Sequence, residues 1–189
     1  TGHTMFLTLG VKAGTISHGQ MWAILPKTWL GNLVGSVFVA LLYSWGGGSL
    51  LPVDTSIVHS VALAKTTAPA TVLFFKGALC NWLVCLAIWM AIRTEGAAKF
   101  LAIWWCLLAF IASGYEHSVA NMTLFALSWF GHHSEAYTLS GIGHNLLWVT
   151  LGNTLSGVVF MGLGYWYATP KSERPAPAKI NQPEATANN

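Results

Sequence analysis

The chain has 189 residues, of which 54% are hydrophobic and only 8% charged, with a net charge of +3. A soluble domain carries roughly 25% charged residues, and a buried helical core would need more polar surface than this chain supplies. The composition therefore excludes a soluble globule and predicts an all-α integral membrane protein in contact with the lipid bilayer. Taken in chain order, residues 4–11 form an apolar run too short to span alone. Ser17 with Gln20 three residues on gives a capping-box pattern for a short surface helix before Pro26. Residues 29–45 form a span between Lys27 and the breaker Gly46-Gly47-Gly48. Residues 70–92 form a second, interrupted by Lys76 and Asn81 and closed by Arg93. Residues 100–130 read as a third span with a break in it, and residues 146–168 as a fourth, ended by Thr169-Pro170. Trp29, Trp45, Trp89, Trp129, Trp148 and Trp166 sit near the ends of these runs, as interfacial aromatic belts do. Residues 1–168 are thus expected to form one transmembrane domain. Residues 169–189, with four prolines and no apolar periodicity, are expected to be a disordered tail.

Basic residues orient the spans. With the tail in the cytoplasm, Lys12, Lys27, Arg93, Lys99, Lys171, Arg174 and Lys179 all lie inside, and only Lys65 and Lys76 fall on or near the outer side. The reverse orientation violates the positive-inside rule at each of the former.

The break in the third span carries the most information. Glu116 and His117 stand side by side between two runs, 100–113 and 119–130, each shorter than the roughly 20 residues a bilayer requires. A broken helix exposes backbone groups that lipid cannot satisfy, so it persists only where it is buried in protein or lines a cavity. Ionisable groups at that depth mark a pathway for ions or substrate.

The chain also repeats itself. Trp29-Leu30-Gly31-Asn32-Leu33-Val34-Gly35 is similar to Thr150-Leu151-Gly152-Asn153-Thr154-Leu155-Ser156-Gly157, and each opens a long apolar helix. The two helices lie three spans apart and must cross in opposite directions, so the repeat is inverted, a common transporter build with a midplane site. Superposing the repeats sets Thr4-Met5 on Asn121-Met122 and the opening Thr1-Gly2-His3 on the break at Glu116-His117-Ser118. The span count then predicts one further span and a half-helix ahead of Thr1. In this arrangement the half-helices beginning near Thr4 and Ser118 point their N-termini at the membrane centre. Each carries about half a positive charge, a ready place for a small anion. His117 sits at the convergence, where it donates a hydrogen bond when neutral and a proton when charged.

Ala112-Ser113-Gly114-Tyr115-Glu116-His117-Ser118-Val119-Ala120-Asn121-Met122 resembles the fifth-helix signature of the formate–nitrite transporter family. Lys76-Gly77-Ala78-Leu79-Cys80-Asn81-Trp82-Leu83-Val84-Cys85-Leu86-Ala87-Ile88-Trp89 resembles its fourth, and residues 29–35 its third. Within the family the likeness is greatest to the nitrite channel branch. The resemblance implies an aquaporin-like fold of six spans per protomer, with this chain starting at the first helix break. It also implies a homopentamer in the bacterial inner membrane, with a pore in each protomer. The transported species would be nitrite, or else formate or hydrosulfide. Thr1 and Asn81 resemble the polar partners of the central histidine, and Lys65 the vestibule lysine that concentrates anions by its field. Phe110 and Val84 match the apolar constrictions that make cation dehydration costly. The signature places Asn121 in the pathway and makes Gly114, Glu116 and Ser118 stabilisers of the loop.

Other readings carry less. Glu116 is expected to accept N–H bonds of its own loop. His59, His132 and His133 fall in expected outer loops, and His144 on the surface before the last span. Cys80, Cys85 and Cys106 lack metal-type spacing and read as packing residues. A haem enzyme would need paired histidines across helices, whereas His117 alone lies well inside a span. A neutral-solute channel of aquaporin type would show Asn-Pro-Ala at its breaks, which this chain lacks. The sequence thus predicts a transporter, not an enzyme, with no cofactor, no metal and no nucleic-acid partner.

Overall fold

The computed structural model describes residues 1–48, 56–131 and 133–174, and these residues are all helix, turn and connecting segment, with no strand among them. Seven helices follow one another: α1 (His3–Lys12), α2 (His18–Trp45), α3 (Ile57–Thr67), α4 (Ala70–Ala91), α5 (Gly96–Ala112), α6 (Ser118–Phe130) and α7 (Leu139–Ala168). Three of them, α2, α4 and α7, are long and apolar enough to cross a membrane, while α5 and α6 are shorter apolar helices.

The expected break falls where the sequence places it, between α5 and α6. Gly114 makes it possible. Its φ of +62° turns the chain out of α5, while Tyr115 N–H donates to the Phe110 carbonyl at 3.0 Å. A Cβ at this position meets nothing within 4 Å, so Gly114→Ala is charged only for the left-handed backbone. We expect a loss of about 1–2 kcal/mol, read as a lowered unfolding midpoint in detergent.

Three boundaries differ from the sequence reading. The capping box forms, with Gln20 N–H bonded to Ser17 Oγ at 3.1 Å and Ser17 N–H to Gln20 Oε1 at 2.7 Å. It opens not a short surface helix but the whole of α2, which runs through Pro26 to Trp45. Proline deletes one donor, whereas ending a helix in apolar surroundings strands a full turn of donors and acceptors. The last helix starts at Leu139, seven residues before the expected 146, because Thr138 Oγ1 caps it by accepting from Gly141 N–H at 3.1 Å. His144 therefore lies within α7 and donates to the Ala68 carbonyl at 3.1 Å. Residues 57–67 form α3, so His59 is not in a loop; it is buried, its ring 2.9 Å from Ser128 Oγ. Beyond α7 a 3-10 turn spans Lys171–Glu173. The rest of the expected tail, residues 175–189, and His132 lie outside the described residues.

Small residues let α4 and α7 meet backbone to backbone. A Cβ on Gly77 would stand 2.8 Å from the Val149 carbonyl oxygen, and one on Gly152 would strike the Phe74 carbonyl. Close approach through small residues is how membrane helices gain packing without a hydrophobic driving force. Gly152→Ala cannot be relieved by a side-chain rotation, since its neighbours are backbone. Overpacking of this kind costs about 1–3 kcal/mol. Gly31→Ala and Gly35→Ala, which meet nothing within 4 Å, should not lower the unfolding midpoint and should raise it slightly, since alanine removes a helix penalty of about 0.5–1 kcal/mol.

Two apolar clusters lie on either side of this contact. Met5, Cys85 and Met161 join α1, α4 and α7; Ala62, Met122, Phe125, Tyr137 and Leu146 join α3, α6 and α7. Between them lies a polar layer.

Candidate functional site

The polar layer stands at the mid-length of α4, around Asn81. Here the N-termini of the two half-length helices α1 and α6 meet: Thr1 Oγ1 is 2.9 Å from His117 Nε2. The first residues of both helices leave donors unpaired. In α6 one of these donors is satisfied by His117 itself, whose Nδ1 accepts from Ala120 N–H at 3.2 Å. A nitrogen that accepts from a backbone N–H carries no proton, so the ring proton of the neutral imidazole is on Nε2. Nε2–H therefore donates to Thr1 Oγ1. Phe110 stacks on the imidazole, with ring centroids 5.9 Å apart at 28°.

Asn81, fully buried, makes its hydrogen bonds to groups other than the histidine. Its Nδ2 donates to the Asn153 carbonyl at 2.6 Å and approaches the Thr1 carbonyl and Thr4 Oγ1, each at 3.4 Å. It reaches His117 only through Thr1. Val84 lies beside Gly2, its Cγ1 3.8 Å from where a Cβ of Gly2 would stand.

Glu116 is held otherwise than the sequence predicts. The donors to its carboxylate are side chains, not loop N–H groups. Lys65 Nζ lies 2.6 Å from Oε1, Asn121 Nδ2 lies 2.6 Å from Oε2, and Asn145 Nδ2 lies 3.4 Å from Oε2. Charge-assisted bonds this short are about twice as strong as neutral ones. Lys65 is thus paired rather than a bare vestibule cation, and its side chain is only 17% exposed. Asn121 belongs to the same cluster, since its amide also donates to Asn145 Oδ1 at 2.9 Å.

Two residues that the sequence reading missed complete the frame. Asn153 Nδ2 donates to the Gly77 carbonyl at 2.8 Å and the Glu116 carbonyl at 3.0 Å, and its Oδ1 accepts from Ser118 N–H at 3.0 Å. One buried amide therefore fixes both sides of the break. The Leu-Gly-Asn repeat could have pointed to it, although its mate Asn32 only donates to Thr28 of its own helix, at 2.9 Å. Asn145 ties Glu116 to the Lys65 carbonyl, 2.9 Å away. It sits ahead of the expected span, where no pattern marks it.

A cavity of about 830 Å³ is lined by Thr1 and Ser118. Trp22, Trp29, Leu147 and Leu151 give it a mostly apolar wall, and His117, Phe110, Val84 and Lys65 are not part of it. Space of that size and polarity does not select a few-atom anion.

Paired half-helices, a buried ionised loop and spanning apolar helices define a multi-pass membrane transport protein. Residues 1–167 match the formate/nitrite transporter family model, and the chain belongs to that family. It is 97% identical over 189 residues to the nitrite transporter NirC of Salmonella typhimurium, covering all of this chain and 70% of that protein. Among solved structures, an ion channel of the family is 98% identical and superposes with a TM-score of 0.87, over 89% of this chain and 68% of that one. A pentameric formate channel with formate bound is 25% identical, with a TM-score of 0.68 over 82% of this chain and 69% of that one. The members matched are transporters and channels, not enzymes.

Proposed function

We propose that this protein conducts nitrite, a small monovalent anion, through a pore in each protomer. The observation that carries the reading is the meeting of the α1 and α6 N-termini at a single imidazole whose Nε2–H is directed to Thr1 Oγ1. An anion that displaces the threonine hydroxyl gains a charge-assisted hydrogen bond in the field of two helix ends. Phe110, stacked on the ring, and Val84, beside Gly2, supply the apolar walls that exclude hydrated cations. Lys65 and Glu116 cancel each other at short range, so Lys65 contributes a dipole at the approach rather than a free charge.

The architecture in this reading is an inverted repeat of aquaporin type with six spans per protomer, five protomers, and the C-terminus in the cytoplasm of a bacterial inner membrane. The repeated Leu-Gly-Asn motif, the half-helix pair and the pentameric relative support it. Formate is the second substrate, favoured by the likeness to a formate channel. Proteoliposomes assayed for internal anion by ion chromatography, with internal pH recorded alongside, test both together. Nitrite should enter fastest, formate more slowly, and sulfate not at all. Equal rates for sulfate and nitrite would overturn selection at the junction.

A further inference from the structure

The end of the bundle opposite Lys65 carries a second anion-directed feature, built from groups that the pore does not use. Lys12 closes α1 and donates to Tyr167 Oη at 3.1 Å, with its ammonium 5.1 Å from the centroid of that ring. Arg174 approaches the same ring from beyond α7, its guanidinium carbon 5.8 Å from the Tyr167 centroid and 5.5 Å from that of Trp166. Its Nε donates to the Thr169 carbonyl at 3.0 Å and its Nη2 to the Tyr167 carbonyl at 3.2 Å. Two cations are therefore positioned around one exposed aromatic ring by named bonds rather than left to wander.

Among the described residues no carboxylate pairs with either cation, the ion pair there being that of Lys65 with Glu116; Glu173, next to Arg174 in the chain, pairs with neither. Tyr167 is 63% exposed, and Val159 and Phe160 earlier on the same helix are 41% and 42% exposed. The surface thus combines fixed positive charge, an aromatic ring with a hydroxyl tip, and apolar side chains along a spanning helix. Tyrosine and tryptophan favour the headgroup level of a bilayer, and lysine and arginine near it gain about 1 kcal/mol each from anionic lipid.

We infer that Lys12, Tyr167 and Arg174 form a seat for one anionic phospholipid. The phosphate lies between the ammonium and the guanidinium, the Tyr167 hydroxyl faces the headgroup, and an acyl chain runs along α7. The inference does not depend on which anion crosses the pore. Charge complementarity selects this occupant over a zwitterionic lipid, whose ammonium would meet two cations.

The test uses the full-length protein in neutral detergent, titrated with dioleoylphosphatidylglycerol or dioleoylphosphatidylcholine and read by native mass spectrometry. Lys12→Gln or Arg174→Gln should each weaken phosphatidylglycerol binding about fivefold, and the double variant about thirtyfold. Phosphatidylcholine binding should not change. Lys12→Arg should retain the preference, and so should Lys99→Gln, which removes a cation elsewhere. Unchanged phosphatidylglycerol binding in the double variant would overturn the seat. Equal loss of both lipids, or dissociation of the oligomer without added lipid, would assign the face to a protein contact and overturn it as well.

Discussion

Lys65→Met should cost more in stability than in transport kinetics, and a second substitution should recover part of the loss. Removing the ammonium leaves the Glu116 carboxylate buried, at 4% exposure, with only the amides of Asn121 and Asn145 as side-chain donors. Breaking one side of a buried pair costs about 3–5 kcal/mol because a charge is left uncompensated. Glu116→Gln alone is no gentler. The new NH₂ must face either the Lys65 ammonium or the donor amide of Asn121, and both are donor against donor. In the Lys65→Met, Glu116→Gln double variant no charge is stranded, and the glutamine oxygen can still accept from Asn121. Its unfolding midpoint in detergent should lie above that of Lys65→Met. If Lys65→Met instead keeps its midpoint and loses flux only at low substrate and low salt, the lysine acts as a steering charge. Screening beyond about 8 Å at physiological ionic strength would then explain the salt dependence.

Much of the architecture is written in composition and punctuation. Gly114 and the carboxylate after it mark the break, and the apolar runs on both sides mark its helices, because glycine and charge are costly within a span. The capping box at Ser17 is a local pattern and forms as read. The errors are tertiary. Helix α3 carries His59 and Lys65 in a short run, and Ser128 and Glu116, far along the chain, are partners that help make those side chains affordable in a helix wall. Lys65 illustrates the difference best. A lone lysine near the outer end of a bundle reads as a field source, and nothing local says that a carboxylate 51 residues on will reach it. Asn145 is invisible for the same reason, and the repeat marks Asn153 without naming its partners. An asparagine in an apolar run advertises a polar partner but not which one, and Asn153 bonds to two elements that enter its surroundings only after folding.

We propose that His117 couples anion transport to a proton, so His117→Asn should leave anion flux while greatly reducing proton movement. His117 has two duties in the folded chain: Nδ1 caps α6 through Ala120 N–H, and Nε2–H faces Thr1. An imidazolium has donors at both nitrogens, so a proton gained at Nδ1 would point at the Ala120 N–H. The ring can therefore become charged only by leaving the cap. A lost cap costs about 1 kcal/mol. An anion within 4 Å of the ring returns about 4 kcal/mol at the effective dielectric of such sites, so its arrival can drive the uncapping. Proton uptake, release of the helix end and anion binding then become one event, and the anion can leave as its neutral acid. Asparagine is a strong N-cap residue and still offers an amide donor, but it exchanges no proton near neutral pH. The cap and the pore should persist, while proton movement falls by roughly 100-fold, the scale of a positioned proton-transfer group. His117→Ala, lacking both donor and cap, should lose flux and stability together. Nitrite and internal pH recorded in the same proteoliposomes decide the matter. Proton movement that continues undiminished in the asparagine variant would make the histidine a fixed donor, with the proton carried by water past a cap that never opens.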